Sequence, residues 1–149
     1  MKGLLLGAAV LVSACDTPGK PVAPEAAARL HVVVPEGWKQ AVGTDGLLQV
    51  GPEGRVVLQL ESTGNPLPEL ESLLAALEAD EVNVVQKESE SDFVGARYTL
   101  GADAVKQGFL GVRQAGPRVV WCATTASAKP EEVEAALTVC RTVSWEGGT

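Results

Sequence analysis

The chain has 149 residues, 12 of them basic and 19 acidic, for a net charge of −7 at neutral pH. That length suits one domain with a real core. The acidic balance argues against a nucleic-acid partner, whose phosphates demand clustered Lys and Arg, and against the folded part lying flat on anionic lipid.

At the N-terminus, Lys2 precedes an unbroken run of apolar and small residues from Leu4 to Val12. The run has the length of a signal-peptide core and is too short to span a bilayer, which takes about 20 apolar residues. Val12-Ser13-Ala14-Cys15 follows. An apolar residue, two small ones and a cysteine resemble the lipobox of bacterial lipoprotein signal peptides. The resemblance implies removal of residues 1–14, lipidation of Cys15 with diacylglycerol and palmitate, and anchorage to the cell envelope facing the periplasm. An ordinary signal peptide with an incidental cysteine is the alternative. Two or more acyl chains hold a protein stably, whereas one binds marginally. Asp16 resembles an inner-membrane retention signal of enteric bacteria, and the choice between inner and outer membrane stays open. Without Lys2 the remaining chain carries a charge of −8.

Residues 15–28 read as the lipidated cysteine and a tether. Residues 16–28 hold three prolines and no aromatic residue, and extended they would reach roughly 40 Å at about 3.1 Å per residue. A single domain is expected over 29–146, with a short tail at 147–149.

Leu30 to Val34 reads as a strand, ended by Pro35-Glu36-Gly37-Trp38. Leu47–Val50 and Arg55–Leu60 read as two strands of a hairpin, because Gly51-Pro52-Glu53-Gly54 is strong turn chemistry. A helix opens near Pro68, where Glu69 and Glu71 favour its dipole. Leu70, Leu73, Leu74 and Leu77 stripe one face of it. Strands are predicted at Val82–Lys87, Phe93–Leu100, Lys106–Arg113 and Arg118–Thr125, the last two joined at Gly116-Pro117. A second helix spans about Pro130 to Cys140, and Thr142–Trp145 reads as a short closing strand.

With Cys15 assigned to lipid, Cys122 and Cys140 remain as a pair outside the cytoplasm, where disulfides persist. Alternation puts Cys122 with Val120 on one strand face. Helical spacing puts Cys140 with Val133 and Leu137. The two faces meet if the helix packs on the sheet.

This order predicts an α+β sandwich with a central antiparallel sheet of about six to eight strands and two helices on it. An opening strand ending in Val34-Pro35-Glu36-Gly37-Trp38, a hairpin, a leucine-rich helix, a meander and a final helix resemble the PsbP-like fold over about residues 29–146. Members of that fold act mostly as binding or assembly factors, and the resemblance brings no catalytic residue with it.

The residues themselves point away from catalysis. There is no Gly-x-Ser-x-Gly, no free cysteine to pair with histidine and no phosphate-binding glycine loop; the glycines read as turn residues. His31, the one histidine, cannot form a usual zinc site alone, so neither metal nor cofactor is expected. Glu88-Ser89-Glu90-Ser91-Asp92 offers oxygens for calcium without calcium-loop spacing, and reads as a solvated hairpin tip. Glu69, Glu71, Glu78, Asp80 and Glu81 read as the outer face and end of the first helix, and Glu131, Glu132 and Glu134 as first-turn acids of the second. Trp38 reads as a lid on the core, with a ligand or partner contact as the sharper alternative. The expectation is a non-enzymatic envelope lipoprotein that binds or helps assemble another envelope protein. The alternative is a small-molecule or lipid-binding module with a pocket between sheet and helix.

Overall fold

A computed structural model describes Ala27 and residues 29–101 and 106–146. The expected signal peptide, Cys15, most of the tether and the tail lie outside the described residues. The elements run β1 (Leu30–His31), β2 (Trp38–Val42), β3 (Leu48–Pro52), β4 (Leu58–Thr63), α1 (Leu70–Ala79), β5 (Asn83–Ser89), β6 (Phe93–Leu100), β7 (Lys106–Ala115), β8 (Arg118–Thr124), α2 (Pro130–Thr142) and β9 (Ser144–Trp145). Seven strands form one antiparallel sheet in the order β2-β3-β4-β8-β7-β6-β5, and β1 pairs with β9 in a separate ribbon. This is the α+β sandwich that the element order predicts.

Period-two alternation sorts the side chains between the faces. On the first face Leu48, Val50, Leu58, Leu60, Phe93, Phe109, Val120 and Cys122 are buried with Ala136, Leu137, Val139 and Cys140 of α2. On the second, Val94, Ala96, Val112 and Val119 are buried with Leu73 and Leu77 of α1. The two helices therefore cover opposite faces. α1 begins later than Pro68 suggests, because Glu69 is its cap residue. α2 opens with Pro130 in its first turn, and the Glu132 carboxylate accepts the backbone N–H of Lys129 at 2.9 Å. Both features suit a helix start, where free N–H groups need acceptors.

Three local expectations change. The opening strand stops at His31, since its partner β9 offers only Ser144 and Trp145; Val33 beyond it is 71% exposed. Trp38 is not the end of a turn but the first residue of β2. Gly37 takes a left-handed φ of +86°, and the Trp38 N–H returns to the Pro35 carbonyl at 3.0 Å, turning the chain into a new strand. Glycines also sit inside strands: the Phe93 ring lies over Gly95 and Gly111, which face each other across β6 and β7. A side chain at either position would collide with the ring or force it to move.

Candidate functional site

Cys122 and Cys140 are joined, with Cα atoms 6.0 Å apart and both residues fully buried. The bridge ties the C-terminal half of α2 to β8. Arg141 stacks over the Phe93 ring at 4.5 Å, pairs with the Glu88 carboxylate and lies 3.7 Å from that of Glu90. Asp92 lies 3.5 Å from Arg113. So three acids of the predicted solvated tip are held by arginines of α2 and β7. At the other end of α2, Arg55 grips Glu132 with two hydrogen bonds of 2.7 and 2.5 Å and donates a third to the Ser127 carbonyl. The guanidinium's hydrogen bonds pull the Glu132 carboxyl below the usual carboxylate range against its partial desolvation, and Glu132 in turn raises Arg55. These charges fasten elements together.

His31 is exposed opposite Ser144. Among the described residues, no group of three or more His, Cys, Asp or Glu side chains converges in a way that could hold a metal ion. A cavity between α2 and the sheet, lined by Phe93, Phe109 and Leu137 among others, measures about 10 Å³, room for about one water, whereas a groove of about 320 Å³ opens between Leu74 and Glu78 of α1 and Asn83, Val84 and Lys87 of β5. Trp38 is half-buried against the first-face core. Trp145 has the guanidinium groups of Arg29 and Arg118 at 5.9 and 5.4 Å, and Arg118 also donates to the buried Ser62 hydroxyl at 2.8 Å.

The open surface lies elsewhere. α1 covers the second face over β5, β6 and part of β7. Over β2, β3, β4 and β8 that face carries Lys39, Ala41, Gln49, Gly51, Gln59, Glu61, Trp121 and Ala123, as their cross-strand pairing fixes. Two shallow grooves mark it. One, of about 190 Å³, runs beside Trp121, Leu47 and Leu110. The other, of about 340 Å³, lies along β2 and β3 over Ala41 and Gly51, walled by Glu53–Val56.

β2 is the edge of the sheet, and its register decides where its backbone points. The Gly43 N–H bonds the Leu47 carbonyl at 2.8 Å, so Gly43, Ala41 and Lys39 direct their backbone groups inward to β3. Gln40 and Val42 therefore direct both N–H and C=O outward. Pro52 opposite Trp38 and the Val50 carbonyl taken by the Val57 N–H fit the same alternation. The sequence reading found Trp38 but missed Gln40 and Val42. The signal was there: five residues bounded by Gly37 and Gly43, with a Gly43–Gly46 turn leading into Leu47.

No family model, curated protein or solved structure matches this chain.

Proposed function

We propose that the protein is a lipid-anchored lipoprotein of a bacterial cell envelope, and that its folded domain binds or helps assemble another envelope protein rather than catalysing a reaction. The observation that carries the reading is the pairing of Cys122 with Cys140. It consumes two of the three cysteines and leaves Cys15, the one placed after Val12-Ser13-Ala14, for acylation. A disulfide also suits a compartment outside the cytoplasm. The PsbP-like resemblance, with its binding and assembly factors, supports the same role. The open half of the sheet gives a partner somewhere to sit.

Metabolic labelling with palmitate tests the anchor. The full-length chain takes up label, and Cys15→Ser abolishes it and releases the protein from the membrane fraction. Labelling that survives Cys15→Ser would overturn the anchor. Mild crosslinking followed by membrane solubilisation and pull-down tests the role. A second envelope protein is recovered with the wild type; recovery of the monomer alone would count against it.

A further inference from the structure

We infer that the outer edge of β2 takes up an extended segment of the partner protein, which adds to the seven-stranded sheet as one more strand. This deepens the binding role proposed above by naming the place and chemistry of contact.

The sheet treats its two edges differently. β5 breaks register between Val84 and Gln86 and carries Lys87 and Glu88. Bulges and charges are the devices by which edge strands deter pairing. β2 pairs with β3 in unbroken register over all five residues and contains no proline. Its single charge, Lys39, lies 3.4 Å from Glu53. Among the described residues nothing covers this edge, and Val42 is 39% exposed. Gln40 and Val42 thus offer two N–H donors and two carbonyls at the spacing an added strand requires.

A second copy is the weaker occupant on two counts. A five-residue edge presents far less than the roughly 800 Å² per partner of a stable interface. Each processed copy also carries a charge of −8 and repels the other. An extended segment escapes both limits. Its backbone pairs with Gln40 and Val42, and alternate side chains can lean over Ala41 and Gly51 into the groove of about 340 Å³. The acidic chain favours a segment that is neutral or basic.

The test uses the full-length chain in its own cell envelope, with a photoreactive benzoylphenylalanine in place of Val42. Crosslinks are expected to map by mass spectrometry to one short extended segment of a second protein. Gln40→Pro is expected to cut the yield at least about tenfold. It removes an outward N–H without breaking the β2–β3 ladder, and its thermal melt shows whether the fold survives. Should that variant unfold, Val42→Lys with the photoreactive residue moved to Lys39 serves instead, with the same expected loss. Crosslinks to a second copy, to residues 16–26 of the same chain, or at undiminished yield in Gln40→Pro would each overturn the inference. If a partner is captured only through another surface, strand addition fails while the binding role stands. If no partner is captured from any surface, both fail.

Discussion

The Phe93 ring reaches over two glycines that face one another in neighbouring strands, and the Arg141 guanidinium lies over the ring, 4.5 Å from its centroid. A Cβ at Gly95 would sit 2.8 Å from the ring, too close for contact without movement. Gly95→Ala is therefore expected to cost about 1–3 kcal/mol through overpacking. Phe93→Ala is expected to cost about 3–5 kcal/mol. In the double variant the overpacking cost of Gly95→Ala vanishes, because the ring that the alanine would strike is gone. Urea denaturation of the four proteins measures this coupling. Additive costs would show that the ring and the glycine act independently. At the same scale, the sequence names the aromatic but not its seat. Gly95 and Gly111 lie inside predicted strands, but nothing local gives them a role until the pairing of β6 with β7 places them under the ring.

α2 is held to the sheet at both ends, by different chemistry. The disulfide fixes its C-terminal half. It closes a loop of about 19 residues, worth roughly 3 kcal/mol in the chain-entropy model. The double variant Cys122→Ala/Cys140→Ala should lose about that much stability by urea denaturation and keep the fold, since both residues sit in an apolar layer. At the N-terminal end Arg55 and Glu132 join the loop after β3 to the helix start. Glu132 titrates below its usual range in the folded chain, so the unfolded chain holds the proton to higher pH. Its stabilisation is fully present above the ordinary carboxylate value and is lost as pH falls through the folded value. Thermal melts between about pH 2 and 6 should show a steeper acid limb for the wild type than for Glu132→Gln. Identical limbs would remove Glu132 from the acid response. Glu132 is legible in the sequence as a first-turn acid. Arg55, 77 residues away, is not.

Across the whole molecule, β8 and β7 lie inside the sheet with a helix and the disulfide on them, whereas β2 and β5 lie at its edges. Amide exchange in the purified full-length protein should follow that order. Val112, Val120 and Cys122 should exchange slowest, and Gln40 and Val42 within the shortest times. Slow exchange at Gln40 and Val42 would mean the edge is already occupied.

Apart from β2, the sequence by itself determined the element types, because the two-residue and 3.6-residue periods survive whatever the chain packs against. Phe93–Leu100 is a strand end to end as predicted, and Leu73 and Leu77 are the buried stripe of α1. It also determined the cysteine pair, since alternation on β8 and spacing on α2 already aimed both side chains at one layer. Only the tertiary structure decided which edge and which half of a face stay open. Those depend on where β2 and α1 lie relative to strands far away in the chain, and no local pattern records that. Trp38, His31 and the acidic tip carried conspicuous chemistry in the sequence. Trp38 packs partly against the core, the tip's acids pair with arginines, and His31 lies exposed on a two-residue strand. Gln40 and Val42, ordinary as residues, gained their place from the direction of their backbone groups, which is set by pairing.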